Sequence, residues 1–476
     1  MLHDIEISDG PIAHLRYWAG KKPSSLALVG PNISLSWADF YNQVRMVAQW
    51  LRYQNLVGGV LIDAKDEYEK IYALACIHEG LFFSGLPNDY DESELKTLGY
   101  NTVLTVNADR ASTELNILLL GNSTIGSNDS VPNDFLPAGL SSDDLIRVVF
   151  SSGTTGRPKP TPFTLGLQSA RVLAASRHYM KQSPFLTTVG FRTTAGSTCF
   201  FLDLFRGSLN LTPGSARHNL GLIHTYKVQG VMGSPVSLDA IRLQVEQSQG
   251  LSIELQEIVS AGSFIQPALA QKIAKTFSAR VTNVYGSTEA GLIGYSDATE
   301  DPNDSLSLYP EVELRVVTPE GIDAGPDEPG KLLVKTPYMT SEYLDPKSSG
   351  SSAPTEYFEP GDIGILGSDH KLKIVGREDD MINLSGIKID PRPIEEHAIS
   401  LGGLTEAVSM LATNQHGKNF HMMFVVGPNP IETSELQKKL EGQFKIKSPQ
   451  LVVQVPSIPK NEMGKVSRKA QIETSI

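Results

Sequence analysis

Helix-period and strand-period segments alternate through the N-terminal part of the chain. Apolar residues recur at helical spacing in "WADFYNQVRMVAQWLRYQ", and the buried-strand run "VGGVLIDA" follows it. The stretch "KIYALACIHEGLFFSGLP" is then predicted as a helix, and "NTVLTV" as the next strand. Alternation of this kind is typical of an α/β protein, in which helices cover a layered sheet.

Later strand-like runs end in small or turn-forming residues. These runs are "QGVMGSP", "LQEIVSAG" and "ARVTNVYG". In an open α/β sheet the loops that face a ligand follow the carboxyl ends of the strands. We therefore expect ligand-facing loops at these positions.

The pattern changes at about Leu306 to short strands and turns, as in "VELRVVTPEGIDAGPDEPGKLLVKTP", which predicts a β-rich subdomain. From about Glu378 the chain has the pattern of a small α+β unit. We expect a large N-terminal layered α/β domain with its β-rich subdomain over residues 1–378, and a small α+β C-terminal domain over residues 379–476.

Composition and charge narrow the class of protein. A chain of 476 residues exceeds the usual size of a single core, which favours two or more domains. The net charge of -12 argues against a nucleic-acid binder. Cys76 and Cys199 are the only cysteines, too few for a disulfide framework, so a reducing, cytoplasmic location is expected. Neither a signal peptide at "MLHDIEISDG" nor a membrane span is expected.

The stretch "VVFSSGTTGRPKP" is the first candidate for chemistry. A loop of Gly, Ser and Thr lets several backbone N–H groups point inward at an anion, and Lys159 adds a positive charge for a phosphate. The spacing differs from the P-loop pattern, because Pro158 precedes the lysine and no Ser or Thr follows it. A flexible surface loop and a phosphate site fit this composition equally well, and the strand before it favours the site.

Further segments make a family resemblance specific. "SSGTTGRPK" resembles the phosphate loop of the adenylate-forming superfamily, which includes acyl-CoA synthetases, adenylation domains and luciferase-like enzymes. "NVYGSTEAG" is similar to its Tyr-Gly-x-Thr-Glu signature, "EYFEPGDIGIL" to its Gly-Asp segment, "GREDDMINLSGIKIDPRPIEE" to its hinge and "IPKNEMGKVSRKA" to its lysine loop. These motifs stand in the family's order and cover essentially the whole chain.

The resemblance implies ATP-dependent activation of a carboxylic acid with release of pyrophosphate. It implies that Thr288 contacts the α-phosphate, that Glu289 holds Mg²⁺ and that Lys465 bridges the acid and the α-phosphate; these three are the implied catalytic residues. It implies that a further set binds the nucleotide: Ser151, Ser152, Gly153, Thr154, Thr155, Gly156, Lys159, Tyr285, Gly286, Asp362 and Arg377. Tyr285 would stack on adenine, and Asp362 would bind the ribose hydroxyls. Asp379 matches the hinge of a small mobile C-terminal domain.

Substrate choice is less determined by the resemblance. The family builds its acid pocket near residues that here are Phe191, Arg192, Thr193, Thr194, Gly262 and Ser263. Many acyl-CoA synthetases have Phe-His where this chain has Phe191-Arg192. Relatives that activate amino acids place an Asp where this chain has Thr, which disfavours an α-amino acid. Arg192 either binds a second polar group of the substrate or forms an ion pair, and the sequence supports both equally.

The expected function is therefore an AMP-forming acid ligase that transfers the acyl group to a thiol, either CoA or the pantetheine of a separate carrier protein. A first alternative ends in an amide, with an amine as the acceptor. A second is a catalytically silent homologue that binds a nucleotide or an acid. The presence of Glu289, Asp362 and Lys465 argues against the silent homologue.

Overall fold

A computed structural model describes most of the chain, in the ranges 5–87, 89–120, 131–132, 134–151, 158–248, 250–300, 305–340, 343–344, 356–384, 387–414 and 418–459. The chain forms two compact units. The first comprises Met1–Glu313 and Val334–Phe358, and the second comprises Leu314–Leu333 and Glu359–Ile476.

The first unit contains helices and strands in mixed order. Its strands are β1 (Leu26–Val29), β2 (Ser34–Ser36), β3 (Gly59–Asp63), β4 (Phe82–Gly85), β5 (Tyr100–Thr105), β6 (Asn116–Leu119), β7 (Leu145–Ser151), β8 (Lys159–Thr164), β9 (Phe185–Thr187), β10 (Asn210–Leu211), β11 (Gly230–Gly233), β12 (Glu257–Ala261), β13 (Val281–Ser287), β14 (Gly291–Asp297) and β15 (Ser307–Leu308). Its helices are α1 (Gly10–Lys21), α2 (Trp37–Tyr53), α3 (Asp66–His78), α4 (Glu92–Thr97), α5 (Leu165–His178), α6 (Thr194–Arg206), α7 (Ala216–Tyr226), α8 (Pro235–Gln247) and α9 (Pro267–Phe277).

Two six-stranded sheets organise the first unit, with strand orders β6-β5-β3-β4-β7-β8 and β15-β14-β13-β12-β11-β9. In both, neighbouring strands in the body of the sheet are parallel. Helices connect these parallel strands and cover the sheet. Strands such as β3 and β11 are therefore buried along nearly their whole length, and their sequences are mostly apolar. A small third sheet has the order β10-β1-β2.

In each large sheet a hairpin places an antiparallel strand beside the parallel ones. Strand β8 returns antiparallel to β7, and β14 returns antiparallel to β13. The first hairpin connects Ser151 to Lys159, and the second connects Ser287 to Gly291. Ser151 and Lys159, at the two ends of the predicted phosphate loop, are thus paired across the first hairpin, and the Thr-Glu pair lies in the turn of the second.

The second unit contains a β-rich part and an α+β part. The strands from Glu313 onward are β16 (Glu313–Val317), β17 (Pro329–Lys335), β18 (Asp362–Leu366), β19 (Leu372–Arg377), β20 (Ile382–Leu384), β21 (Ile387–Ile389), β22 (Glu406–Thr413), β23 (Asn419–Val426) and β24 (Leu451–Gln454). Its helices are α10 (Arg392–Ser400) and α11 (Thr433–Phe444). The first four of these strands form one sheet, β20 and β21 form a hairpin, and β22-β23-β24 form another sheet.

The predicted α/β class is confirmed, and most predicted elements are present. Ser36 caps α2 by accepting a hydrogen bond from the backbone N–H of Asp39, and the helix buries Trp37, Phe40 and Val44. The single helix predicted over "KIYALACIHEGLFFSGLP" is wrong in its second half. The helix α3 ends at His78, and "FFSG" forms β4, parallel to β3.

The boundary between residues 378 and 379, and the mobility of the C-terminal domain, stay predictions. Among the described residues, no helix combines the length and the apolar character that a membrane span requires.

An acidic side chain in the core makes stability depend on pH. Asp203 on α6 is buried and accepts a hydrogen bond from the side-chain amide of Asn210 at 2.8 Å. Burial raises the pKa of Asp203 to about 7. An acid with a raised pKa in the folded state contributes stability that is fully present below its unfolded pKa and lost as the pH rises through the folded pKa.

We expect Asp203→Asn to become progressively more stable relative to wild type as the pH rises from 4 to 8. The Asn side chain has nearly the same shape but cannot ionise. Because the pKa of Asp203 is raised to about 7, the difference in unfolding free energy should change by on the order of a few kcal/mol. Urea titrations at several pH values measure this difference. Asp239→Asn, at a partly exposed carboxylate, is the control. A difference that does not change with pH would contradict the raised pKa.

Candidate active site

The tips of the two hairpins contact each other through side chains. Ser151 is the last residue of β7, and its hydroxyl donates a hydrogen bond to Oε1 of Glu289 at 3.2 Å. The Tyr343 hydroxyl donates to the same oxygen, also at 3.2 Å. The ammonium nitrogen of Lys159 lies 5.1 Å from the centre of the Tyr343 ring, within the range of a cation–π contact. A cation, two hydroxyls and a carboxylate therefore lie within one small region.

The turn that carries Glu289 is tight and closely packed. Thr288, Glu289 and Ala290 connect β13 to β14, and the N–H of Ala290 donates to the Ser287 hydroxyl at 2.9 Å. Gly286 is needed because a Cβ there would lie 2.4 Å from the carbonyl oxygen of Gly291. Thr288 is half-buried, and no helix begins at this Thr-Glu pair, since the residues form a hairpin turn.

A segment from Thr336 to Thr340 holds this turn from outside. The N–H of Thr340 donates to the carbonyl oxygen of Glu289 at 2.8 Å, and the Thr336 hydroxyl donates to that of Ala290 at 2.7 Å. The Tyr338 hydroxyl donates to the carbonyl oxygen of Leu292 at 3.1 Å. Three hydrogen bonds thus fix the backbone of the turn that carries Glu289.

Glu289 fits the requirements of a magnesium ligand. Mg²⁺ is usually bound through one or two carboxylates together with substrate phosphates, so a cage of protein ligands is not needed. Within the described ranges, no group of three or more His, Cys, Asp and Glu side chains is arranged to hold a metal ion by itself. The hydrogen bonds that described residues donate to Glu289 come from neutral hydroxyls and reach Oε1. The negative charge of the carboxylate is therefore not neutralised by those donors.

Predicted residues for the nucleoside lie on two different units. Tyr285 is half-buried on β13 of the first unit, next to Gly286. Asp362 and Arg377 belong to the second unit, where they are paired residues of the β18–β19 ladder. The Arg377 guanidinium lies 3.7 Å from the Asp362 carboxylate and donates to the carbonyl oxygen of Pro360 at 2.9 Å. Asp379 is exposed in the 3₁₀ turn that follows β19.

The candidate acid-pocket residues before α6 have contacts of their own. Phe191 is buried, and its ring stacks on Phe83 with 6.1 Å between centres. Its N–H donates to the Asp66 carboxylate at 3.0 Å. Thr193 caps α6, because its hydroxyl accepts a hydrogen bond from the N–H of Gly196 at 3.0 Å. The Thr194 hydroxyl is buried and lacks a hydrogen-bond partner among the described residues.

Arg192 forms an ion pair with α3. Its Nε lies 2.9 Å from Oε2 of Glu69, a residue almost completely buried, while the Arg192 side chain itself is 40% exposed. Burial raises the pKa of Glu69 to about 7, and the Arg192 guanidinium opposes this shift. Of the two sequence interpretations of Arg192, this geometry is that of an ion pair.

A second buried guanidinium supports the same loop. Arg147 on β7 donates a hydrogen bond to the carbonyl oxygen of Arg192 at 3.2 Å. Its guanidinium lies 5.7 Å from the ring centres of Phe83 and Phe163, and 5.8 Å from that of Phe191. Arg147 therefore connects the strand that ends at Ser151 to the loop in front of α6.

The remaining predicted residues are at the end of β12 or outside the described ranges. Gly262 is exposed and follows β12, and Ser263 beside it is half-buried. Ser152, Gly153, Thr154, Thr155, Gly156 and Lys465 lie outside the described residues. Four residues of this region were not predicted from the sequence: Tyr343, Arg147, Glu69 and, on α5, Arg171, which donates to the carbonyl oxygen of Glu289. None of them lies in a motif quoted above, and a single charged residue in a strand or helix is usually solvated, so it gives no functional signal.

Comparisons with known proteins find a matching family model and several proteins that this chain resembles. The model of the family "AMP-binding enzyme" matches residues 15–344. A 2-hydroxy-7-methoxy-5-methyl-1-naphthoate–CoA ligase of Streptomyces carzinostaticus is 30% identical over 231 residues, 46% of this chain and 41% of that one, so the match spans less than half of either protein. A 2-succinylbenzoate–CoA ligase of Staphylococcus epidermidis is 23% identical over 96% of this chain and 97% of its own length. ATP-bound MatB from Rhodopseudomonas palustris shares the fold, with a TM-score of 0.82, 21% identity and 97% of each chain covered.

We expect Gly291→Ala to lower the free energy of unfolding by more than the backbone strain of a positive φ alone would lower it. Gly291 has φ +76°, and a Cβ there would lie 2.7 Å from the buried Tyr338 ring. Gly250→Ala is the matched control, because Gly250 has φ +75° and open space around it. Both variants bear roughly 1–2 kcal/mol of backbone strain, and Gly291→Ala should lose about 1–3 kcal/mol more through overpacking. Urea unfolding measures both losses, and equal losses would contradict the contact.

Proposed function

The chain belongs to the AMP-binding enzyme family, and from this premise we propose that it joins a carboxylic acid to AMP, using ATP and releasing pyrophosphate. The observation that carries the proposal is the contact between the two hairpin tips, in which the Ser151 hydroxyl meets the Glu289 carboxylate beside Lys159. One tip holds donors for an anion and the other holds a carboxylate for a cation. A site for a metal–triphosphate complex needs both.

In the proposed reaction the carboxylate of the substrate attacks the α-phosphorus of ATP, and the bond from that phosphorus to the bridging oxygen of pyrophosphate breaks. Two anions must approach each other, so the enzyme contributes mainly position and positive charge. Ser151, Lys159 and the loop between them hold the β- and γ-phosphates. Glu289 would hold Mg²⁺, and the ion would supply positive charge for the phosphates.

The other predicted residues have roles in the same proposal. Thr288 contacts the α-phosphate, and Tyr285 with Gly286 forms the platform for adenine. Asp362 accepts hydrogen bonds from the ribose hydroxyls, and Arg377 orients the Asp362 carboxylate from the adjacent strand. Lys465 stabilises the charge that develops between the acid and the α-phosphate. Asp379 is the proposed hinge about which the C-terminal domain changes position between the two half-reactions.

We propose an aromatic carboxylic acid as the substrate and a thiol, CoA or the pantetheine of a carrier protein, as the second acceptor. The two relatives described above are named as CoA ligases of a naphthoate and of a succinylbenzoate. The loop before α6 is held by its own contacts, since the Asp66 carboxylate accepts a hydrogen bond from its backbone and Glu69 pairs with its arginine. A rigid pocket wall favours a rigid substrate, since less conformational entropy is lost on binding.

We expect pyrophosphate release with at least one aromatic acid of a panel of benzoates and naphthoates, and dependence of that release on Mg²⁺. Glu289→Gln should lower the rate by roughly 10²-fold at a fixed Mg²⁺ concentration, because it removes the carboxylate charge. Glu313→Gln is the control, since Glu313 pairs with Lys335 at the surface of the same unit. Nucleotide binding without turnover of any acid would favour the silent homologue.

We expect Lys465→Ala to separate the two half-reactions. Formation of the adenylate should fall by at least about 10²-fold, because one well-placed charge in the transition state is lost. Transfer from a preformed acyl-adenylate to CoA should continue at a rate close to that of wild type. Liquid chromatography with mass spectrometry of the products, with CoA, a pantetheinylated carrier protein or an amine supplied in turn, identifies the acceptor. Survival of adenylation in the variant would contradict the role of Lys465, and an amide product would contradict the thiol acceptor.

A further inference from the structure

Arg171 is a buried cation directly behind the Glu289 turn. It lies on α5, it is 4% exposed, and its guanidinium is 4.6 Å from the centre of the Phe163 ring. Burial lowers its pKa to about 10, so the guanidinium stays charged at neutral pH. No motif marks this residue, and the reaction as described above does not use it.

The Arg171 guanidinium binds two segments that are far apart in the chain. Its Nη2 donates to the carbonyl oxygen of Glu289 at 2.9 Å, and its Nε donates to that of Tyr338 at 3.0 Å. The N–H of Thr340 donates to the same Glu289 carbonyl at 2.8 Å. Two donors therefore fix the orientation of the Glu289 peptide group, and one planar group connects the hairpin turn to the Thr336–Thr340 segment.

The Arg171 guanidinium donates to the main-chain carbonyl of Glu289. The side-chain carboxylate of Glu289 accepts from hydroxyl groups. An arginine paired with the carboxylate itself would neutralise its charge and compete with a metal ion. Here the carboxylate accepts from Ser151 and Tyr343 instead. The guanidinium therefore fixes the backbone of Glu289 through its carbonyl, and its charge attracts the carboxylate only from a longer distance.

Stability alone does not explain this residue well. Nη1 of Arg171 is buried and has no hydrogen-bond partner among the described residues. A buried N–H group without a partner costs about 1–3 kcal/mol, and more when the group is charged. A neutral side chain of similar volume would avoid this cost, so a role at the site accounts better for an arginine here.

We propose that Arg171 is a positioning residue for magnesium binding: it fixes the backbone of Glu289 so that the carboxylate meets the metal–ATP complex without rearrangement. The inference rests on the proposed function, because it takes Glu289 as the metal ligand. Residues that orient a metal ligand typically change metal affinity or activity by about 10- to 100-fold when they are removed.

The test compares Arg171→Gln and Arg171→Lys with the control Arg206→Gln. Arg206, at the end of α6, also donates to two backbone carbonyls, those of Met180 and Ser176, but it does not contact the Glu289 turn. The Mg²⁺ concentration that gives half-maximal pyrophosphate release is measured for each variant. Calorimetry measures the affinity for ATP with and without Mg²⁺, and thermal unfolding reports stability.

For Arg171→Gln we expect the half-maximal Mg²⁺ concentration to rise roughly tenfold or more, with a smaller change of rate at saturating Mg²⁺. Arg171→Lys should lie between this variant and wild type, because it keeps the charge but cannot form the two-pronged contact. If Arg171→Gln does not fold, the lysine variant alone decides. Arg206→Gln should leave the Mg²⁺ requirement unchanged even where it lowers stability.

An unchanged Mg²⁺ requirement in both Arg171 variants, with a loss of stability like that of Arg206→Gln, would overturn the proposal. If wild type releases no pyrophosphate with any acid, the proposed reaction fails separately, and calorimetry still decides about Arg171. Loss of the Mg²⁺ effect on ATP affinity in Arg171→Gln, but not in Arg206→Gln, would then support it. ATP binding by wild type that is independent of Mg²⁺ would overturn it.

Discussion

The hydrogen bond from the Ser151 hydroxyl to the Glu289 carboxylate connects the two large sheets of the first unit at the predicted site. Each of its large sheets is mostly parallel and contains an antiparallel hairpin toward one edge, β7–β8 in one and β13–β14 in the other, and this bond joins the two hairpins. A carboxylate beside the predicted phosphate loop would repel a bound phosphate unless a cation were bound with it. The proposed function accordingly assigns a phosphate and a metal ion to the same place.

Much of this organisation follows from local sequence. Apolar runs that end in small residues predicted β11, β12 and β13, and the ordered motifs indicated the family, which the match over residues 15–344 confirms. The helix predicted through "FFSG" failed because a short apolar run fits a helix and a buried strand equally well, and only the pairing of β4 with β3 decides between them. The role of Arg171 was not predicted, because its acceptors are the backbone carbonyls of Glu289 and Tyr338. These residues are distant in the chain, and a backbone acceptor leaves no pattern in the sequence.

The region expected to hold the acid shows how structural and chemical requirements share residues. Phe191 belongs to a cluster of aromatic rings, Thr193 caps a helix, and Arg192 is paired with Glu69. A comparison of motifs predicts none of these roles, because it shows only that Arg192 stands where many acyl-CoA synthetases have His. Charged groups on α3 and β7 hold this loop, so its shape depends on residues outside any motif.

Phe163 on β8 lies within 6 Å of both buried guanidinium groups, at 4.6 Å from Arg171 and 5.7 Å from Arg147. Arg171 supports the Glu289 turn, which is proposed to bind the metal, and Arg147 supports the loop expected to face the acid. Substitutions that share a contacting neighbour rarely have additive effects. Substitutions at Arg147 that are meant to change the acid should therefore have effects that depend on the residue at position 171. Libraries that vary Arg147, Phe163 and Arg171 together should reach sequences that stepwise changes miss.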